Sequence, residues 1–365
     1  MGLSCGIVGL PNVGKSTLFN AITLGETSER ANFMFSTTEP VRGVVDVPDP
    51  RLGKISECIA TRRIVPAQMN VVDIPGLVSG SSQGEGLGIG FLGAIKESDV
   101  LVHVVRCFES ADVQSVSGSI DPAIDAEIVE LELAQADAQT LERNIERVGK
   151  KARTGDKEAV KQKELFERCK AHIDGGMPLR TLEIAEADMK LLFPLFLMTI
   201  KPVLFVANVG SDDLEGKSAR VAELREYAQR TGAHVMHVCA DIEAELVRMD
   251  DNDRAEFMSD LGLTESGLTK LIHAGFDLLG LQTYFTAGEI ETRAWVIHKG
   301  DTAPVGAAVI HTDFLKKFVR AQVYTFDDLM AHRSEAAIKA AGKLRVEGKD
   351  YVLQDGDICH FLIAN

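Results

Sequence analysis

Gly9-Leu10-Pro11-Asn12-Val13-Gly14-Lys15-Ser16-Thr17 is a complete G-x-x-x-x-G-K-[ST] stretch. It stands between an apolar run, Leu3 to Val8, and a segment in which Leu18, Phe19, Ala21 and Ile22 recur at helical spacing. Strand, glycine-rich loop and helix in that order describe a phosphate loop. The chemistry selects the residues: glycines let the backbone N–H groups of 12–17 turn inward around phosphates, and a helix N-terminus adds a favourable dipole. Lys15 reaches the β- and γ-phosphates, and the Ser16 hydroxyl is placed to bind Mg²⁺.

A second stretch converts nucleotide binding into an expectation of hydrolysis. Gln68 to Val72 reads as another strand and delivers Asp73-Ile74-Pro75-Gly76, a D-x-x-G about sixty residues after the loop. In phosphate-loop enzymes an aspartate at a strand end holds the metal and the glycine N–H senses the γ-phosphate, which assigns those roles to Asp73 and Gly76. The glycines of Gly80 to Gly88 carry a high ordering entropy, as expected of a switch that ligand contacts fix, although a passive linker would read the same way. Leu77 follows the D-x-x-G where many GTPases carry a glutamine, so the attacking water must be oriented by something else. Asn12 is one candidate, its side-chain oxygen holding a K⁺ beside the phosphates; the alternative is that it caps its own loop.

These residues carry a resemblance. The phosphate loop, then Asn32-Phe33-Met34-Phe35-Ser36-Thr37-Thr38-Glu39-Pro40, then Asp-Ile-Pro-Gly-Leu-Val at Asp73 to Val78, resemble the Obg-like ATPase or YchF family of translation-factor-related P-loop NTPases. His103 to Phe108, Leu281 to Thr286, Ile310 to Phe314 and Gly348 to Tyr351 extend the likeness over essentially the whole chain. The resemblance implies a GTPase-like domain interrupted by a helical hairpin and followed by a TGS domain, a small β-grasp module. It also implies that Thr37 is the switch threonine that closes onto Mg²⁺ and the γ-phosphate. A histidine that relatives often carry is replaced here by Ser115, which points to slow intrinsic turnover and keeps a nucleotide-gated adaptor in view.

Base choice is written at the end of the run Pro202 to Ala207. Guanine-specific members carry N-K-x-D there; this chain has Asn208-Val209-Gly210-Ser211, without lysine or aspartate, and Obg-like ATPases usually show N-x-x-E. Strong discrimination between bases comes from dedicated hydrogen bonds, so ATP is expected, with Asn208 pairing to adenine. A one-residue slip that lets Asp212 replace the missing acid keeps GTP as the alternative. Val209 is placed beside the base, and Cys239-Ala240, after a short apolar run, resembles the loop that touches the base from its other side.

The strands Leu3 to Val8, Gly43 to Val47, Gln68 to Val72, Val100 to Val105, Pro202 to Ala207 and His234 to Val238 alternate with helical segments. They describe a doubly wound α/β sheet of P-loop NTPase type with its ligand at the C-terminal strand ends. Between the fourth and fifth strands, Ile124, Ile128, Leu131, Leu133, Leu141 and Ile145 fall at helical steps, Thr154-Gly155-Asp156 breaks the run, and a second helix leads to Leu165 and Phe166. That is an inserted antiparallel hairpin. After Leu281 the pattern becomes short strands, including Tyr351 to Leu353 and Ile358 to Leu362, with Asp355-Gly356 as a hairpin turn. The expected domains are 1–120 with 200–280, 121–199, and 281–365.

The chain has 365 residues, 45% of them hydrophobic, and a formal charge of −15. The hairpin departs from this balance: from Arg143 to Lys170 ten basic residues face five acids. Together with His311, Lys316, Lys317 and Arg320 in the closing domain, it suggests contact with the ribosome or ribosomal RNA, against the alternative of a solvated face laced with ion pairs; no DNA or membrane partner is expected. Cys5, Cys58, Cys107, Cys169, Cys239 and Cys359 form no C-x-x-C pair, so buried thiols are expected, with redox sensing the lesser option. No leader and no membrane span are read, and Gly6 occupies the position that myristoylation requires to be Ser or Thr, so a cytoplasmic protein is expected.

Overall fold

The computed structural model describes residues 4–25, 40–74, 89–109 and 120–364. The chain divides into two compact units, one formed by 1–44 with 70–271 and the other by 45–69 with 272–365.

In the first unit β1 (Ser4–Val8), α1 (Lys15–Gly25), β2 (Val41–Val47) and, past α2 (Pro50–Cys58) and β3 (Ile64–Val65), β4 (Ala67–Asp73) are followed by α3 (Ile89–Glu97) and β5 (Val100–Arg106). Two long helices, α4 (Pro122–Ala152) and α5 (Lys157–Asp174), and the short α6 (Glu186–Leu192) precede β6 (Val203–Asn208), α7 (Ala219–Thr231), β7 (His234–Val238), α8 (Ala240–Leu246), α9 (Asp251–Asp260) and α10 (Gly267–Leu278). The sheet order is β2-β4-β1-β5-β6-β7, with β1 parallel to β4 and β5, and β5, β6 and β7 parallel in turn. Every residue of β5 and β6 is buried, as expected of parallel strands covered on both faces, and this explains their mostly apolar runs, which His103 interrupts in β5. Ile7, Leu18, Ile22, Leu101 and Phe205 are fully buried, each contributing about 1.5–3 kcal/mol by the removal of apolar surface from water.

The hairpin forms where the break was read: Gly155 takes a φ of 83° and the Asp156 carboxylate caps α5 by accepting from the Glu158 and Ala159 amides. Leu141, Val148, Leu165, Phe166, Cys169 and Ile173 make its seam. Ile124 and Leu131, expected at apolar steps, lie exposed; the expected Leu133 and Leu141 do turn inward, joined by Ala126 and Val129. The hairpin is rooted by buried charge. The Asp137 carboxylate accepts from the Met198 amide and from both the amide and hydroxyl of Thr199, all at 2.7–2.9 Å. Arg180 forks onto Glu130 at 2.7 and 2.8 Å and donates its Nε to the Thr231 carbonyl.

The second unit holds β8 (Leu281–Thr286), β9 (Thr292–His298), α11 (Ala303–Ile310), α12 (Phe314–Lys317), β10 (Phe318–Thr325), α13 (Phe326–His332), α14 (Glu335–Ala340), β11 (Arg345–Glu347) and β12 (Asp357–Ile363). Its sheet runs β11-β10-β12-β8-β9-β3, with β12 and β8 parallel and β8–β9 and β10–β12 antiparallel. This mixed sheet, with α11 between its two antiparallel pairs in the chain, is the expected β-grasp. Three readings change. Segment 45–69 belongs with this unit: Ile64 and Val65 pair with Thr292 and Arg293, and Arg51 binds the Asp355 carboxylate at 2.6 Å. Asp355-Gly356 does not join two paired strands, because Val352 makes only an isolated bridge to Thr302 and the Asp355 carboxylate is drawn to the Thr283 amide. The hairpin, expected as a separate 121–199 body, is part of the first unit.

Candidate nucleotide-binding site

The loop between β1 and α1 adopts the conformation its glycines permit. Gly14 sits at a φ of 91°, and a Cβ there would lie 2.1 Å from the Asn208 amide nitrogen, so no side chain fits. Asn12 takes the left-handed region at 64°, which asparagine tolerates better than most residues; it is exposed, and its side chain makes no hydrogen bond among the described residues. Among the described residues it therefore makes no capping bond of the kind weighed for it. The α1 helix begins at Lys15, so its first amides open onto the loop.

Three polar side chains converge at this mouth from the ends of two elements. Lys15 Nζ is ion-paired with Asp73 Oδ1, and Ser16 Oγ lies 3.4 Å from Asp73 Oδ2. Lys15 and Asp73 are largely buried, their side chains 10% and 14% exposed, so each depends on the other for compensation. The same donors suit a small hard cation: one hydroxyl and one carboxylate oxygen supply part of a shell that phosphate and water complete, as Mg²⁺ prefers. No group of three or more His, Cys, Asp or Glu able to hold a metal occurs among the described residues.

The base side is organised by Asn208 at the end of β6. Its Nδ2 donates to the Val13 carbonyl at 2.9 Å and its Oδ1 accepts from the Ala240 amide at 3.0 Å. The side chain read as an adenine partner is thus a bridge tying the phosphate loop to the Cys239-Ala240 loop, with one amide hydrogen to spare. Val209 and Cys239 are both buried in the core, which leaves backbone as what those positions present. Asp213 is consumed by its own turn, accepting from the Lys217 and Ser218 amides, whereas Asp212 is exposed and makes no hydrogen bond among the described residues. Thr17 is half-buried on the first turn of α1. Thr37, Gly76, Leu77, the glycines of 80–88 and Ser115 lie outside the described residues.

Sequence reasoning missed Glu243, one turn beyond Ala240. Its buried carboxylate accepts from the Gly267 amide at 2.6 Å and from Leu268 at 3.4 Å, holding α8 against the start of α10. No local signal marked it, since α8 also carries Asp241 and Glu245, and only packing turns Glu243 inward. The cysteines follow expectation: five are buried and Cys58 is half-buried, and burial, aided by Asp99, pushes the Cys5 thiol up to about 12. No helix among the described residues is long and apolar enough to cross a membrane.

Comparison with known proteins places this geometry. Residues 4–150 match a family model described as MMR_HSR1, 50S ribosome-binding GTPase, and residues 281–364 match YchF-GTPase_C, described as a protein of unknown function (DUF933). The chain is 49% identical over 362 residues to the ribosome-binding ATPase YchF of Escherichia coli O157:H7, covering 99% of each. It is 47% identical over 363 residues to the protein of that name from Bacillus subtilis (strain 168), again with 99% of each covered. The structure of the Schizosaccharomyces pombe YchF GTPase superposes with a TM-score of 0.86 at 34% identity, covering 99% of this chain and 98% of that one. With a phosphate loop, a rooted hairpin and a β-grasp unit matched from end to end, the chain belongs to the YchF family.

Proposed function

We infer that this protein hydrolyses ATP to ADP and phosphate and does so as a ribosome-associated switch. The observation that carries the reading is the Lys15–Asp73–Ser16 cluster at the mouth of a glycine-turned loop. Entry of a triphosphate draws Lys15 from Asp73 to the β- and γ-phosphates, where its charge and the loop amides stabilise negative charge that builds during transfer. Asp73 and Ser16, with Thr37, would hold Mg²⁺, which when bound neutralises phosphate charge. Gly76 would donate its amide to the γ-phosphate. Asn12 would hold K⁺ with its side-chain oxygen, since Leu77 has no polar atom with which to orient water. The bacterial relatives bear the name ribosome-binding ATPase.

The absence of lysine and aspartate after Asn208 favours adenine by removing the acceptor that guanine requires. A second reading, GTP hydrolysis, is favoured by Asp212, the one exposed acid on that loop without a hydrogen bond among the described residues. Calorimetric titration with ATP and with GTP, in Mg²⁺ buffer containing K⁺ or Na⁺, separates the two. We expect about tenfold or stronger preference for ATP, and a preference for GTP would transfer the role to Asp212.

The hairpin is the proposed ribosome contact. Lys163 and Lys170 are spent on Glu167 and Asp174, and Lys161 on Asp188, but Arg147, Lys150, Lys151, Arg153 and Lys157 make no ion pair among the described residues. Charge reversal at Lys150, Lys151 and Arg153 should weaken co-sedimentation with ribosomes and flatten its salt dependence. Association that is insensitive to both the reversal and the salt would remove the hairpin from the proposal. His311, Lys316, Lys317 and Arg320 form a second basic group, on the β-grasp unit, for the same partner.

A further inference from the structure

At the N-terminal ends of β5 and β6, the side of the sheet opposite the phosphate loop, the first unit carries a groove of about 580 Å³. Met189, Leu192, Phe193, Phe196, Leu197 and Ile200 supply its apolar lining. Phe193 is 78% exposed and Phe196 55%, their ring centroids 6.2 Å apart. Phe196 is also held in the left-handed region, at φ 49° and ψ 47°, which a bulky aromatic rarely adopts. Folding alone gives no return for two neighbouring phenylalanines in water, one of them on an unfavourable backbone, and strain of this kind concentrates at sites that bind.

The charges around the groove specify what would fill it. Glu97 is held by Arg42 at 2.5 Å and Asp99 accepts from the Ser4 amide at 2.9 Å. Lys201 donates to the carbonyls of Lys96 and Ser98, at the last turn of α3. Among the charged groups that line the groove, the side chains of three make neither an ion pair nor a hydrogen bond among the described residues: the cations Lys96 and Lys190 and the carboxylate Glu186. The groove is therefore aliphatic and aromatic at its floor and cationic in what its rim leaves unneutralised. A second copy of the chain fits poorly, because a two-fold contact here would bring each Lys96 and Lys190 towards its counterpart. RNA fits poorly because the depth of the groove is aliphatic, whereas a phosphate backbone needs more cations than two.

We propose that this groove docks an acidic amphipathic peptide segment of a partner protein, its leucine or phenylalanine anchors entering between Phe193 and Ile200 and its carboxylates meeting Lys96 and Lys190. The mode is helix-in-groove recognition, in which anchors at three- and four-residue steps give affinity and flanking charge selects the partner. The occupant would touch the last turn of α3 through Lys96, and no part of the groove belongs to the nucleotide site.

The test uses the intact chain and two fluorescein-labelled peptides of about 18 residues. Both carry leucine at i, i+3, i+4 and i+7; one has glutamate and the other lysine at the remaining positions. In fluorescence anisotropy the glutamate peptide should bind at least about tenfold more tightly than the lysine peptide. The double variant Phe193→Ser with Phe196→Asn should abolish that binding, asparagine being suited to the left-handed backbone at 196. Lys190→Glu should weaken it separately, in case the double variant perturbs folding, and ATP affinity should stay unchanged in both variants. Equal binding of the two peptides, tighter binding of the lysine peptide, or no binding of either overturns the proposal. So does displacement of the glutamate peptide by a single-stranded RNA oligonucleotide, which would reassign the groove to nucleic acid. Sedimentation that reveals a dimer broken by Phe193→Ser would reassign it to a second copy.

Discussion

The phosphate loop and the root of the hairpin both bury charge, and they satisfy it to very different degrees. At the loop, Lys15 and Asp73 rely on one another, with Ser16 at 3.4 Å as the nearest further help. At the root, Asp137 accepts from two amides and a hydroxyl, and Arg180 is forked onto Glu130 and also bound to a carbonyl. A pair intended to part when a ligand arrives must not be anchored by too many bonds. A pair that fixes a long lever to a sheet gains from every one of them, since a buried charge with unmet hydrogen-bonding capacity is destabilising.

The sharpest test of this contrast is Lys15→Ala. Nucleotide affinity should fall by on the order of a hundredfold or more, since the cation proposed to meet the phosphates would be gone, while the thermal midpoint without nucleotide should fall by less than in a variant of the root, because Asp73 loses its one ion-pair partner beside an exposed Ser16. Calorimetry and a melting curve on one preparation measure both. Unchanged ATP affinity would break the assignment of the site.

The reverse pattern is expected at the root. Arg180→Met leaves the Glu130 carboxylate buried without its partner, and burial already pushes that carboxyl above its usual range, with Arg180 drawing it back. Stability should drop by about 3–5 kcal/mol. ATP affinity at a temperature where the variant is folded should remain within about twofold of the parent. Urea unfolding monitored by circular dichroism gives the first figure. A loss under about 1 kcal/mol would mean that the root is no better anchored than the loop.

The smallest effect concerns His103, buried on β5 and packed against Phe205 at 5.1 Å. Burial, with the nearby Arg180 charge, lowers its pKa from 6.5 to about 3. Between these values the unfolded chain binds a proton that the folded chain refuses, so the associated stability is full above pH 6.5 and drains as pH falls towards 3. By pH 4.5 the drain amounts to about 2–3 kcal/mol. His103→Leu should remove that slope, which urea melts at pH 7 and pH 4.5 would reveal; equal slopes in variant and parent would show that the imidazole is not held neutral.

Legibility followed distance along the chain. The phosphate loop was readable because its demands fall within nine residues, and the buried strands were readable because β5 and β6 are mostly apolar on both faces. The role of Asn208 was not, because its two bonds reach Val13 and Ala240, which no local pattern links to it. Ile124 and Leu131 misled for a related reason: a three- and four-residue step marks a helix, but which stripe turns inward depends on what the helix meets. Asp355-Gly356 had the chemistry of a hairpin turn, and Arg51 and the Thr283 amide drew the aspartate into another arrangement.

The sequence by itself determined the phosphate loop, the succession of strands and helices, the basic hairpin and the family, because glycine conformations, caps and apolar periodicity act over a few residues. The tertiary structure alone decided which charges are paired loosely and which are saturated, that 45–69 joins the C-terminal unit, and that two phenylalanines flank an open groove. Those outcomes turn on groups brought together from tens to hundreds of residues apart, and whether a buried polar atom is satisfied is settled only when its partners arrive.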